Sequence, residues 1–411
     1  MTRRVVVTGV GLVTPVGTGV DKAWDNLCSG KSGVGPITRF DASDYPVRIA
    51  AEVKDFDSDQ YFDKKAAKHL DLYVQYALVA SRMALEESGF TISEENRDRV
   101  GVVTGCGIGG LPVIEANHSI LLDRGPRRVA PFFIPMAIPN MPSGHISMDI
   151  QSTGPNLCLT TACAAGTHAV GEAYRYVQRG VCDMVVAGGT ESVICGLGIA
   201  GFASMKALSA RNDSPEEASR PFDRDRDGFV MSEGAGMLIL EEYEHARARG
   251  ADIYAEICGY GLSSDAYHVA APPEDGAGGV RAMKMALASA GLSADKIDYI
   301  NAHGTSTPLN DLCETRAIKT VFGAYADDLV VSSTKSMVGH MLGAAGGVEA
   351  VFTALSLKNQ IAPPTMNYCQ PSPECDLDYV ANEARQMKIA AALSNSFGFG
   401  GTNAVIAMKT L

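Results

Sequence analysis

In Thr160-Thr161-Ala162-Cys163-Ala164-Ala165-Gly166, small residues surround a cysteine that immediately precedes a predicted alanine-rich helix, Ala164–Gln178. A thiol at a helix N-terminus meets the positive end of the macrodipole and unpaired amides, which favours thiolate over thiol, and the small neighbours let a substrate approach the sulfur. That is the setting of a nucleophile elbow. A buried structural cysteine has the same local signature, and most of the other nine cysteines read that way, including Cys158 and Cys182 in strand-like runs. Two histidines bear on the choice. His303 lies in Asn301-Ala302-His303-Gly304-Thr305-Ser306-Thr307-Pro308, just past a predicted strand, and His340 closes Ser333-Thr334-Lys335-Ser336-Met337-Val338-Gly339-His340, just before an alanine-rich helix. Strand ends and helix starts are where α/β folds build sites. Both histidines are flanked by glycine and polar residues, unlike a histidine packed into an apolar stripe. His69, His118, His145, His168, His245 and His268 read as ordinary structural histidines, although His168, about one helical turn past Cys163, stands where it could compete for the thiol.

The elements that must position these groups alternate. Short β-branched runs at Val5–Thr8, Val100–Thr104, Met184–Ala187, Ile297–Asn301 and Leu329–Ser332 are interleaved with alanine-rich helical segments. Two echoes suggest a duplication. A helix over about Leu70–Ser88 ends in Met83-Ala84-Leu85-Glu86-Glu87-Ser88-Gly89, and a later one ends in Met285-Ala286-Leu287-Ala288-Ser289-Ala290-Gly291; each closes on a glycine suited to a C-cap and leads to a buried strand. Ala164-Ala165-Gly166 through Glu172-Ala173 is echoed by Ala344-Ala345-Gly346 through Glu349-Ala350. Two α/β halves, 1–250 with the cysteine and 251–411 with the histidines, would then share one core around a pseudo-twofold axis.

Composition closes off other classes. With 46% hydrophobic and 20% charged residues the 411-residue chain reads as soluble and globular. A net charge of −12 argues against a general nucleic-acid binder, which needs a basic face. No apolar run is long enough to span a membrane. Met1-Thr2-Arg3-Arg4-Val5-Val6-Val7 reads as the approach to a buried strand rather than a secretory leader, because the run breaks at Thr8-Gly9. Ten scattered cysteines, with no CxxC pair or His/Cys metal spacing, point to reduced thiols in a cytoplasm and to no structural metal.

Four motifs in order resemble a known family: Thr161-Ala162-Cys163, Asn301-Ala302-His303-Gly304-Thr305-Ser306-Thr307, Ser333-Thr334-Lys335-Ser336 with Gly339-His340, and Asn395-Ser396-Phe397-Gly398-Phe399-Gly400-Gly401-Thr402-Asn403. Over essentially its whole length the chain is similar to the β-ketoacyl-acyl carrier protein synthase II family, elongating ketosynthases of type II fatty acid synthesis. The resemblance implies the thiolase fold, a layered α-β-α-β-α core, usually as a homodimer and without a cofactor. It implies that Cys163 accepts an acyl chain from the phosphopantetheine of acyl carrier protein, that His303 and His340 assist malonyl decarboxylation, and that the amides of Cys163 and Phe399 hold the oxyanion. By the same resemblance Lys335 pairs with Glu349 and orients the histidine region, Thr305 and Thr307 bond the pantetheine amide, and Phe399 is a gate hinged at Gly398 and Gly400. Ile108 is expected to limit acyl depth, with Phe133, Phe202 and Phe229 as pocket aromatics. Lys64, Lys65, Lys68, Arg127, Arg128 and Lys206 are expected to dock the acidic carrier; Arg124 flanks the same cluster.

Rival readings have visible weaknesses. Gly105-Cys106-Gly107-Ile108-Gly109-Gly110 fits GxGxxG and Asp123 follows at a plausible distance, but Asp123 precedes a Gly-Pro turn where a dinucleotide fold needs a second strand. A thiolase would carry a second cysteine near the C-terminus, and Gly398–Asn403 has none. Chain-starting condensing enzymes resemble a Cys-His-Asn set, whereas His340 supplies a second histidine here. A non-catalytic chain-length partner would lack Cys163. A discrete polyketide ketosynthase shares every motif and stays open.

Overall fold

The computed structural model describes residues 3–411; Met1 and Thr2 lie outside it. The first strand, β1 (Val5–Thr14), runs six residues beyond its predicted end and is buried throughout. Gly9 and Gly11 do not break it. A Cβ at Gly9 would fall 2.1 Å from the Ala84 carbonyl oxygen and one at Gly11 1.9 Å from that of Ala80, so both glycines exist to let a helix lie directly on the strand. That helix is α1 (Leu72–Ser88). It starts two residues later than predicted because Asp71 caps it, its carboxylate accepting the Leu72 N–H.

Four more helices position the site: α2 (Ala165–Gln178), α3 (Ala277–Ala290), α4 (Pro308–Phe322) and α5 (Ala345–Asn359). Both α1 and α3 end on left-handed glycines, Gly89 and Gly291. After β1 come β2 (Val100–Gly105), β3 (Asn156–Leu159), β4 (Met184–Glu191) and β5 (Gly234–Glu242), then β6 (Ala255–Ser264), β7 (Tyr299–Asn301), β8 (Val330–Ser332), β9 (Ala391–Gly398) and β10 (Thr402–Lys409).

These strands form one path, β8-β7-β9-β10-β6-β1-β5-β4-β2-β3. Read from either rim inward, each set of five follows the same order: third, second, fourth, fifth, first. The sense repeats as well. β2 is parallel to β3 and β4, and β7 to β8 and β9; β5 is antiparallel to β4 and β1, and β10 to β9 and β6. The two sets join where β1 pairs antiparallel with β6, from Val5–Ile257 to Val7–Ala255. Identical order and sense in successive stretches of chain is the duplicated thiolase fold.

Helix α1 covers one outer face, α3 and α4 the other, and α2 and α5 lie between the two half-sheets. Thirteen of the fifteen residues of α5 are buried, so it has no solvent face and belongs to the interior. Both central helices open alike, with a single 3₁₀ turn (Ala162–Ala164 and Leu342–Ala344) whose first residue is left-handed, Ala162 at φ 50° and Leu342 at φ 47°. They cross at small residues: a Cβ on Gly166 would meet the Gly347 nitrogen at 2.5 Å. Among the described residues no helix is long and apolar enough to cross a membrane, and all ten cysteines are free.

Candidate active site

Cys163 sits in the 3₁₀ turn that precedes α2, which begins at Ala165 rather than Ala164. His303 follows β7 by two residues, and His340 follows the short helix Lys335–Val338. One side-chain atom from each of Cys163, His303 and His340 lies within 4.8 Å of the other two, and the imidazole rings meet edge to face at 5.4 Å between centroids. Their loops are tied from behind. Glu314 on α4 accepts the N–H groups of His303 (2.8 Å) and Gly304 (2.7 Å) and the Asn395 amide (3.1 Å). Gly339, at φ 69°, turns the chain so that the His340 N–H donates to the Val230 carbonyl at 2.8 Å and the His340 carbonyl accepts the Ser232 N–H at 3.1 Å.

Lys335 is buried, paired with the buried Glu349, and its Nζ lies 3.5 Å from Nδ1 of His303. An ammonium can only donate, so Nδ1 accepts and the ring proton of His303 sits on Nε2. Burial, with Lys335 as the next cause, holds both histidines well below the usual imidazole range; His340 adds to the effect on His303. Both rings are therefore neutral at pH 7. Burial pushes the Glu349 carboxyl up to about 7, with Lys335 the main opposing influence, and Glu314 likewise to about 7 against its amide donors.

The thiol departs from expectation. Burial pushes Cys163 up to about 11, and Lys335 and the amides of Phe399 and Cys163 pull it back only in part. Enclosure removes the water that would solvate a thiolate, and this outweighs the helix-start dipole and amides. Cys163 is a resting thiol whose alkylation by iodoacetamide should rise about tenfold per pH unit through about pH 9 without a plateau. Lys335→Ala should slow it further at a given pH. A plateau near neutrality would show a stabilised thiolate.

The three side chains open onto a cavity of about 400 Å³, also lined by Phe202, Phe229, Thr305, Thr307, Lys206 and Phe399. Phe229 packs edge-on against His340 (5.2 Å) and Phe202 against Phe229 (5.5 Å); the hydroxyls of Thr305 and Thr307 are 2.9 Å apart. Phe399 lies in a turn with Gly400 at φ 79°. Gly398 is extended instead, at φ −110°, and its lack of a side chain serves space: a Cβ there would stand 3.0 Å from the Thr161 carbonyl oxygen. Ile108 and Phe133 do not line this cavity. Ile108 packs against the cluster containing Cys163, Phe229 and Leu342, and Phe133 is half-buried on the short helix Phe133–Ala137. Lys64, Lys65, Lys68, Arg127 and Arg128 are exposed outside it. The His69 and Phe132 rings meet at 4.3 Å, which draws those two cationic segments together.

Two groups with a competing functional reading serve the structure instead. The glycine run holds no open anion seat for a dinucleotide, because the N–H groups of Gly107, Ile108 and Gly109 donate to the buried carboxylate of Glu191 at 2.6, 3.2 and 3.0 Å. A glutamate closing the buried strand β4 was the available signal. His168 is bonded through Nδ1 to the Thr161 hydroxyl (2.8 Å) and stands edge-on to Tyr260, so it serves the elbow's packing. Cys182 lies in the turn before β4 rather than in a strand.

The "Beta-ketoacyl synthase, N-terminal domain" matches residues 2–246 and the "Beta-ketoacyl synthase, C-terminal domain" matches residues 254–369. The chain belongs to the β-ketoacyl synthase family, thiolase-fold condensing enzymes of the acyltransferase type. It is 54% identical over 407 residues to the 3-oxoacyl-[acyl-carrier-protein] synthase 2 of Synechocystis sp., covering 99% of this chain and 98% of that one. It is 53% identical, with the same coverage, to the enzyme of that name from Coxiella burnetii. Among solved structures it is similar to a β-ketoacyl synthase from Burkholderia phymatum (36% identity, TM-score 0.92, all of both chains). It is equally similar to a type II polyketide acyl-carrier protein in complex with its ketosynthase bound to the hexaketide (36% identity, TM-score 0.93, all of both chains).

Proposed function

We propose that this protein elongates fatty acyl chains by decarboxylative condensation between an acyl group held on Cys163 and a malonyl group carried by acyl carrier protein. The convergence of one thiol and two neutral imidazoles in a single cavity carries this reading. In the loading step the Cys163 sulfur attacks the acyl thioester and the thiol proton leaves with the carrier's sulfur. Malonyl then loses CO₂, and the electron pair left behind becomes an enolate. His303, with its proton fixed on Nε2, and His340 donate to the enolate oxygen from a site closed to bulk water. The enolate carbon attacks the acyl-Cys163 carbonyl, whose oxyanion lies against the amides of Cys163 and Phe399. Collapse frees 3-oxoacyl carrier and the Cys163 thiolate, which regains a proton from water.

Lys335 and Glu349 position His303, Thr305 and Thr307 bond the pantetheine arm, and Phe399 gates the cavity. The cysteine-bearing half ends near residue 250 and the histidine-bearing half follows; the break between β5 and β6 supports that boundary. The unpaired outer edge of β3, with Asn156 and Leu157 exposed, supports a homodimer formed along it. Ten free thiols fit a reducing cytoplasm. An identity of 54% to synthase 2 relatives, against 36% to the polyketide ketosynthase, supports the fatty acid pathway.

Mixing the protein with acyl and malonyl carriers should yield 3-oxoacyl carrier and one CO₂ per condensation. Reversing charge at Lys64, Lys65, Lys68, Arg127 and Arg128 should raise the apparent KM for carrier-bound substrates and weaken its salt dependence, because exposed charges steer over about 8–10 Å. Pantetheine-only substrates should be spared. Equal damage to both would remove these residues from docking, and absence of 3-oxoacyl product in the parent would overturn the function.

A further inference from the structure

Cys163, His303 and His340 bring together the donor set of a soft-metal centre: one sulfur and two imidazole nitrogens, each within 4.8 Å of the others and all buried. Among the described residues no other three metal-binding side chains meet in this way. A thiolate with two imidazoles selects zinc over magnesium or calcium, and three protein ligands leave the fourth tetrahedral position open. Zn–S near 2.3 Å and Zn–N near 2.0–2.1 Å set the ligand atoms about 3.3–3.6 Å apart, so closing on a metal needs a contraction of at most about 1.5 Å, within reach of side-chain rotation. The way in favours a cation, because Asp227 and Asp265 line the cavity against one ammonium, Lys206.

Protonation decides how readily the three groups close. Both imidazoles are neutral at pH 7, so each keeps a lone pair. His340 Nδ1 has no hydrogen-bond partner, so that ring can take either tautomer without breaking a bond at this nitrogen. The Cys163 proton leaves to water on binding, because a dication held against sulfur outweighs the enclosure that keeps the free thiol protonated. His303 opposes. The Lys335 ammonium faces its Nδ1 at 3.5 Å and keeps the ring proton on Nε2, the nitrogen left free for a metal. Binding must move that proton to Nδ1, which then confronts an ammonium still paired with Glu349.

We propose that the thiol and the two imidazoles also form a Cys-His-His site that takes up zinc reversibly and blocks condensation, and that Lys335 weakens this capture by holding His303 in the tautomer that excludes a metal. Zinc there is an inhibitor and not a cofactor: it occupies the sulfur that must attack and the nitrogens that must donate. An acyl group on Cys163 takes the sulfur out of the donor set, so the loaded enzyme is protected. The inhibition rests on the condensing function proposed above; the binding does not.

The test reads metal binding by the full chain without turnover, using Zn²⁺ and, as a coloured stand-in, Co²⁺. One equivalent of Co²⁺ should give a thiolate-to-metal charge-transfer band that is absent in Cys163→Ser and in protein acylated at Cys163. Competition with a chromophoric chelator should show Lys335→Met holding Zn²⁺ about tenfold or more tightly than the parent. If Lys335→Met does not fold, Lys335→Gln, whose amide oxygen can accept the relocated Nδ1 proton, carries the same comparison. Zinc should inhibit condensation, and EDTA should restore the parent rate. A band that survives Cys163→Ser, or no band in the parent, overturns the site; equal or weaker zinc binding in the lysine variant overturns the role of Lys335. A parent that binds zinc yet forms no 3-oxoacyl product would instead refute the condensing function and leave the metal site standing.

Discussion

Cys163→Ser is expected to abolish condensation, by about 10⁴-fold or more, while leaving malonyl decarboxylation in place. The sulfur is the group at the elbow that faces both imidazoles, and a serine hydroxyl in the same enclosed turn is a far poorer nucleophile. The imidazoles that receive the enolate are untouched by the change, so the second half-reaction should survive. After incubation with an acyl donor, intact-protein mass spectrometry should show one adduct on the parent and none on the variant. An adduct that persists would move the nucleophile to another of the ten cysteines.

Replacing either histidine should give the converse pattern. His303→Ala or His340→Ala is expected to slow CO₂ release from malonyl carrier by about 10²–10³, the loss typical of one oxyanion donor, and to slow acylation of Cys163 much less. Neutrality is what makes the pair effective: burial and Lys335 keep both rings uncharged, so they donate hydrogen bonds to the enolate without being acids strong enough to quench it. CO₂ release read by coupled assay, beside the acylation rate read by mass spectrometry, separates the two steps. Undiminished decarboxylation in both variants would refute this division of labour.

The contrast between Cys163 and Glu191 shows what the sequence could convey. An elbow cysteine among small residues and two histidines at element boundaries are local patterns, and all three converge in the fold. The resting state of the thiol is not local. It depends on how burial of the sulfur balances against the Lys335 charge and the Phe399 amide, and those two groups come from distant parts of the chain. The glycine run fitted a dinucleotide fingerprint that its context argued against, but the carboxylate its amides do hold lies more than eighty residues away on another strand. Boundaries failed for local reasons instead. Thr8-Gly9 looked like a strand end because the use of Gly9, close contact with α1, shows only once that helix is in place. β7 starts at Tyr299 rather than Ile297 because Ala294–Lys296 form a 3₁₀ turn just ahead of it. The strand order shared by both halves was foreshadowed only by the two echoes, the paired helix endings and the paired openings at Ala164 and Ala344.

The almost wholly interior α5 has a consequence for biosynthesis. Everything through β5 leaves the ribosome well before Ala345, so the nascent first half must present the inner face of α2 and the β4–β5 surface with nothing yet laid over them. That exposed apolar layer is the kind of surface that recruits chaperones or sticks to other nascent chains until its late partner arrives. The long-range pairing of β1 with β5 and β6 delays completion in the same direction. The arrangement that lets one helix from each half meet beneath the thiol therefore makes late translation the vulnerable interval in the life of this chain.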